Sequence, residues 1–506
     1  MQIPALIALL GLAVSAQAVT VSTAQYGNAR TSANTAETVI TPSNVSGLHK
    51  RCSLAVDGHV YAQVLIIDDV NISGATKVGV SVTMNNSVYL FNADTCAQIW
   101  TVNLGATYTD YPTTTAFPGN QVGCLSTPVI DTGTSVLYAS CVRSSGQWRL
   151  YSFNLADGST FHAPVTFAGS NNSVTFAPAS HLQRSALLLL NGTVYACFAS
   201  YGDDPPYQGW CFGVNATSLA ITAIWCDTST SNGQGGIWMG GGGPASDGTD
   251  IYLSTGNGDF AANNYSNSFV RLSQLLAPLD YATPANWSSV INPNDRDINS
   301  GKVFVTGNYV VGGGKDGRIF VLDKSGSSTM GGLEGVGAGP HQLFAAQNGA
   351  IFACTVFANN SLILGALNTT LKRFSWDSGA GTFNTSPVAV GAGPFSNPGP
   401  SCSYTSNGSD TSTALLWGVT PAASAFSSVQ VGTLRAWDAA SMTEIWNSGS
   451  GSDALGNFAK FAAPTIANGM VYVPTFSNSV VAYGFPLGVS LSISGKATIS
   501  GKFSIQ

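Results

Sequence analysis

Five side chains able to do chemistry follow one another between residues 235 and 316: Trp238, Asn257, Asp295, Asp297 and Lys315. Trp238 stands among glycines in "GGIWMGGGGP", and Asn257 follows nineteen residues later in "STGNG". An indole offers a flat π-face. Carboxamide and carboxylate oxygens suit a hard cation. The aromatic and the Asn in so permissive a backbone read either as a tight corner of a β-protein or as the floor and wall of a cofactor pocket. Asn257-Gly258 is also a common turn pair. The loop "NPNDRDINSG" superficially resembles a calcium loop from Asp295 onward. It has Ser300 at the sixth place and Thr306 at the twelfth, where an EF-hand needs Gly and Glu, so it is not one. Lys315-Asp316-Gly317 reads on its own as a hairpin turn.

Other chemistries find no support. The His residues (His49, His59, His162, His181 and His341) form no metal-like spacing. There is no Gly-x-Ser-x-Gly elbow and no HExxH, so a hydrolase is not indicated. The charged fraction is 9%, far below the usual ~25%, and Ser, Thr, Asn and Gly fill the surface role. A formal charge of -6 gives no electrostatic reason to bind nucleic acid or an anionic membrane. The opening "MQIPALIALLGLAVSAQAVT" reads as a signal peptide over residues 1–18, cleaved after Ala18. Its apolar run is too short to span a bilayer, and the 487–506 tail lacks a lipid-anchor signal, so no membrane anchor is expected. Nine Cys in an oxidising compartment imply disulfides, with at least one Cys free or paired outside the chain. Twelve Asn-x-Ser/Thr sequons, beginning at Asn44, Asn71 and Asn85, make a glycoprotein the expectation in a eukaryotic source.

The elements that must position these side chains are strands. "NSVYLFNADTCAQIW" (86–100) returns as "GTLRAWDAASMTEIW" (432–446), with weaker copies between them and a short last one, "NSVVAYGF" (478–485). Eight copies recur at intervals of about 44 to 71 residues, which points to radial blades around an axis. A turn such as "NADT" or "WDAA" joins the third and fourth strands of each blade. The closing Trp (Trp100, Trp225, Trp446) packs between neighbouring sheets. The expected fold is all-β, an eight-bladed β-propeller of four-stranded antiparallel blades over residues 19–486, as a single domain. Seven blades would also fit, because the eighth copy is short. An N-terminal strand within residues 35 to 42 could complete it and leave no free edge.

These repeats resemble those of the quinoprotein alcohol dehydrogenase-like propellers, which repeat "Tyr-Ala-Leu-Asp-Ala-x-Thr-Gly-x-x-x-Trp". The nearest copies are residues 89–100 and 434–446, and the resemblance covers nearly the whole mature chain. It implies a secreted oxidoreductase with pyrroloquinoline quinone and Ca²⁺ over the propeller axis, acting on an alcohol or sugar. On that resemblance Trp238 is the floor beneath the quinone and Lys315 touches its oxygens. Asn257 ligates calcium. Asp295 or Asp297 is the catalytic base, and both are candidate calcium ligands with Asn257. The types suit the work: Ca²⁺ polarises a carbonyl, a carboxylate takes the alcohol proton, and a Lys stabilises developing negative charge.

The sequence also departs from the family. The family's calcium-binding Glu has no counterpart, since the only Glu residues are Glu37, Glu334 and Glu444. Asp203 or Asp204, in "ASYGDDPPYQGW", is the available substitute, with a shorter reach. The adjacent Cys pair is missing, for Leu125 follows Cys124. No Cys-x-x-Cys-His haem motif exists, so electrons would leave to another protein or an external acceptor. The chain therefore reads as a divergent member. The alternative is a non-catalytic secreted propeller whose same face binds a glycan, a surface polymer or a protein, since fold does not fix function.

Overall fold

Inner and outer strands of the repeat differ in sequence for a physical reason. "VGVSV" (Val78–Val82) is buried along its whole length and is therefore small or apolar throughout. "QIWTVN" (Gln98–Asn103) is outermost and keeps three exposed positions. With Leu65–Ile67 and Ser87–Asn92 they form one antiparallel sheet, in which Leu90 lies opposite Trp100. The computed structural model describes residues 18–112, 117–325, 330–449 and 451–486. In it eight such four-stranded blades follow in chain order and close into a ring, an eight-bladed β-propeller. The expected signal peptide, apart from Ala18, and the 487–506 tail lie outside the described residues. No described helix is long and apolar enough to cross a membrane.

The repeat's turn has a local cause. The Asn92 side-chain oxygen accepts hydrogen bonds from the backbone N–H of Asp94 (2.9 Å) and Thr95 (3.1 Å). Asn215, Asp377 and Asp438 cap the same turn in other blades. The position the family fills with Gly is left-handed here too, yet Cys96, Leu219 and Met442 occupy it at φ 58°, 52° and 62°. The closing Trp residues reach the next blade as expected. The Trp100 indole N–H donates to Leu155 O at 3.0 Å, and Trp446 meets Tyr483 edge-on at 5.8 Å.

The ring closes with an N-terminal strand, but not the one expected. The eighth blade is Thr465–Ala467, Met470–Pro474, Ser479–Gly484 and then His49–Ala55, with Leu54 opposite Val480. Residues 35 to 42 are instead held as a loop by Glu37. Its carboxylate accepts from the backbone N–H of Val39 (2.8 Å), Ile40 (3.1 Å) and Gly469 (3.2 Å).

Residues 21–34 lie across one end of the axis and touch the first strand of every blade. Val21 bridges Ile66, and Ser22 O accepts from Ile130 N. The Asn28 side chain donates to Leu189 O, and Asn28 O accepts from Ser246 N. Ala29, Thr31 and Ser32 carbonyls accept from Val305, Phe357 and Tyr404, and the Asn34 side chain donates to Ile466 O. Arg30 is fully buried there, donating to Pro244 O, Thr23 Oγ1, Ala24 O and Leu187 O at 2.8 to 3.0 Å.

Four disulfides pair Cys52 with Cys96, Cys124 with Cys141, Cys197 with Cys211 and Cys354 with Cys402. Cys226 is the free, buried one. Four disulfides fit folding in an oxidising compartment.

Candidate functional site

Ser246, Val305 and Phe357, which meet the N-terminal arm, stand at or next to the last position of their strands. The arm therefore covers the end where first strands turn into second strands. Antiparallel strands alternate in direction, so hairpins joining second to third strands open at the opposite end. That end carries the candidate site. Asn257 lies in the fourth blade's hairpin, between Ile251–Ser254 and Phe269–Leu272. Lys315 lies in the fifth blade's hairpin, between Tyr309–Gly313 and Arg318–Asp323. Asp295 and Asp297 lie on the connection between those two blades, after the short helical turns Trp287–Ile291 and Asn292–Asn294.

These four meet. Lys315 Nζ lies 2.5 Å from Asp295 Oδ1 and 2.6 Å from Asp297 Oδ2. The Asn257 backbone N–H donates to Asp297 Oδ1 at 2.8 Å, and its carboxamide N–H to Asp295 Oδ1 at 3.2 Å. Lys315 N–H also donates to Asp297 O at 2.9 Å. Asn292 fixes the Asn257 turn from both sides, accepting from Gly258 N and donating to Gly258 O. Asp297 is buried, whereas the Asp295 side chain is 67% exposed.

Asp203 joins from the third blade's hairpin, accepting a hydrogen bond from the Tyr207 hydroxyl at 2.8 Å. Burial pushes its carboxyl pKa up, and the Asp297 charge adds to this, partly offset by Tyr207 and Lys315. Asp295 is raised as well, by burial and by Asp297, against the pull of Lys315. Burial works against the Lys315 charge, but the two carboxylates outweigh it and raise its pKa. One ammonium thus faces three carboxyl groups.

Trp238 ends the segment from Gly235 to Trp238 that runs beside Asn257. Gly235 N–H donates to Asn257 O at 2.7 Å, and Gly256 N–H to Gly236 O at 2.9 Å. A Cβ on Gly236 would lie 3.2 Å from the Trp238 indole nitrogen. Trp238 is half-buried against the cluster that includes Tyr61 and Tyr201, and it enters none of the ring contacts among the described residues. The glycines after it cross the axis. A Cβ on Gly240 would meet Ser300 O at 2.3 Å, on Gly241 Phe461 O at 2.1 Å, and on Gly243 Ala186 O at 2.4 Å. Those carbonyls lead into three different blades.

Asn299 is a member that the sequence reading missed. Its carboxamide N–H donates to Gly236 O at 2.6 Å, and its Oδ1 is buried without a hydrogen-bond partner. Asn257 Oδ1 is likewise buried and unpartnered. From a Cβ position on Gly256, Asp297 Oδ1 and Asn299 Oδ1 lie at 3.2 and 3.3 Å. Among the described residues no group of three or more His, Cys, Asp or Glu side chains is arranged to hold a metal. The orphaned amide oxygens beside Asp297 are nevertheless the donors a hard cation takes, so the residues fit Ca²⁺. The unstacked indole and the Lys315 ammonium fit a flat, electron-poor ring that carries partly negative oxygens.

No family model matches this sequence, and no curated protein is similar to it. Solved structures are similar in fold. The quinohemoprotein alcohol dehydrogenase from Comamonas testosteroni aligns with 96% of this chain and 82% of its own, at TM-score 0.62 and 14% identity. A quinohemoprotein alcohol dehydrogenase from Pseudomonas putida gives the same coverage, TM-score 0.61 and 10% identity. BamB from Moraxella catarrhalis aligns with 87% of this chain and 100% of its own, at TM-score 0.53 and 11% identity. At these identities the likeness carries the propeller fold alone.

Proposed function

We propose that the chain is a secreted oxidoreductase of the quinoprotein dehydrogenase type, acting on an alcohol or sugar hydroxyl at the hairpin end of the axis. The observation that carries this is the meeting of Asn257, Asp295, Asp297 and Lys315, drawn from two blades and their connection, beside the unstacked Trp238. Asn257, Asn299 and Asp297 would hold Ca²⁺, and Trp238 and Lys315 would hold pyrroloquinoline quinone. Bound there, the quinone would supply a two-electron acceptor and Ca²⁺ a Lewis acid.

The chain's own residues divide the remaining work. Asp295 is the accessible carboxylate, and its raised pKa brings it nearer the pH at which a general base works best, so it takes the substrate hydroxyl proton. Asp297 is gripped by Lys315 and the Asn257 backbone and orients both. Lys315 balances negative charge that develops on the acceptor. Asp203 adds a third carboxyl from the neighbouring blade, in place of the family's Glu.

The second reading, a non-catalytic propeller binding a glycan, surface polymer or protein, is favoured by one observation. Lys315 already supplies a cation to both Asp295 and Asp297 without any metal. Purified protein with added quinone and Ca²⁺ separates the two, read by cofactor absorbance and alcohol-dependent dye reduction. The dehydrogenase reading expects micromolar binding, weakened by Trp238→Ala and Lys315→Ala, and turnover abolished by Asp295→Asn with the cofactor still bound. No binding at micromolar cofactor sinks it.

A further inference from the structure

A second cleft shares no residue with the carboxylate cluster. This cleft of about 230 Å³ opens between the connection of the first and second blades, a hairpin of the seventh and the lead-in to the eighth. Its walls include Phe117, Phe426, Phe458 and Phe476, with Ser428 and Lys460. The volume is below the ~300–1,000 Å³ of sites for drug-sized ligands, so it suits a compact one. Phe426 is 76% exposed, an uncommon state for an aromatic wall with nothing laid against it.

The charge in this cleft is uncompensated. Lys460 Nζ donates to Phe426 O at 2.6 Å, and an ammonium has further donors to give. The Arg184 guanidinium is next to it, donating to Lys460 O at 3.3 Å and lying 4.2 Å over the Phe461 ring. Neither cation has a carboxylate partner among the described ion pairs. Two adjacent, half-buried positive charges without a counter-ion destabilise the site, and an anion would relieve them. Arg184 is spent on the Tyr61 and Phe461 faces, which leaves Lys460 as the single charge presented to the cleft. One point charge between aromatic walls matches a monoanion with a flat apolar body better than a densely charged phosphate, which recruits a planar fork or several donors.

We infer that this cleft binds a small carboxylate carrying an aromatic or otherwise flat apolar group, with Lys460 on the carboxylate and the Phe rings on the body. The cleft shares no residue with the proposed quinone site, although its Phe117 and Phe476 belong to the cluster on which Trp238 packs, and the inference needs no cofactor. Burial, together with the Arg184 charge, lowers the Lys460 pKa to about 8. Affinity therefore weakens as pH rises through that value. Tyr61 and Tyr111 also face Arg184's side of the cluster, and His59 stacks on Phe476.

The test is calorimetric titration of the purified chain, without quinone, with phenylacetate and with its neutral amide. Phenylacetate is expected to saturate with a Kd of about 1 mM or tighter at pH 7, and the amide to bind roughly tenfold more weakly, as loss of one charge-assisted hydrogen bond would give. Lys460→Met should erase that difference, and Lys460→Arg should keep it. Phe426→Ala should weaken acid and amide alike. Melting curves that match the parent establish that the variants are folded. Acid and amide binding equally, no saturable binding, or an unchanged preference in Lys460→Met would each overturn the inference.

Discussion

The glycine run behind Trp238 can be tested by the size of its cost. Gly241 sits at φ +82°, and a Cβ there would lie 2.1 Å from Phe461 O, a carbonyl of the lead-in to another blade. Gly241→Ala therefore carries two penalties. The left-handed backbone costs ~1–2 kcal/mol for a residue with a Cβ, and forcing two packed backbones apart costs a further ~1–3 kcal/mol. Gly248→Ala is the control. It has φ +95° and nothing within 4 Å of its Cβ position, so it bears only the first penalty. An unfolding entropy of ~2.1 cal/mol/K per residue makes ~1 kcal/mol worth ~1 °C for a chain of this length. The expected loss of Tm in calorimetry under oxidising conditions is thus ~2–5 °C for Gly241→Ala and ~1–2 °C for Gly248→Ala. Equal losses would refute the placement of the run against the axis, because the contact term would then be absent.

Two further perturbations address the parts that support the site. Arg30→Met removes donors from the carbonyls of Pro244, Ala24 and Leu187, leaving buried acceptors unsatisfied at about 1–3 kcal/mol each. The N-terminal arm should then be cut by protease faster than the blades, and an unchanged cleavage pattern would contradict its role as a plug. Asp247 is held well below the ordinary carboxyl range: burial opposes this, but the Lys324 ammonium and the backbone N–H of Asp250 and Thr249 outweigh it. Because its folded pKa is depressed, its contribution is present above the unfolded value near ~3.9 and is lost as pH falls through the folded one. Lys324→Met should shrink this by about 1 kcal/mol or less, since the pair is partly exposed, narrowing the difference in Tm between pH 6 and pH 3.

The blades were legible in the sequence because their signal is local. An Asn or Asp that caps its own turn, a buried second strand and a Trp that reaches the next turn all fall within one repeat. The repeats weaken where Cys96, Leu219 and Met442 take the left-handed place of Gly, for the turn survives while the pattern fades. The closing strand was misplaced for the opposite reason. "HKRCSLA" (His49–Ala55) is an outermost strand, buried only at Leu54, and it shows no apolar alternation to read. The N-terminal arm left no pattern at all, since its partners are backbone groups of eight separate strands.

The site divides along the same line. Asn257, Asp295, Asp297 and Lys315 each sit in a turn whose residue types already suggest chemistry, and the propeller order places their loops side by side. Asn299 looks like any turn residue in "INSG", and only the packed structure reveals that its carboxamide oxygen is buried without a donor. The meeting of Asp203 with Asp297 crosses from one blade to the connection beyond the next, a relation no local spacing encodes. What the geometry adds is a charge balance. Three carboxyl groups share one ammonium, two amide oxygens lack partners, and burial together with the Asp297 charge raises the carboxyl pKa of Asp203 and Asp295. A divalent cation would relieve all three conditions at once, by its charge and by taking the amide oxygens as ligands. Asn299→Ala tests this. Under the cation reading it should weaken Ca²⁺ binding about tenfold, the scale on which metal-site partners act. If only charge is out of balance there, Asn299→Ala should leave Ca²⁺ affinity where it was.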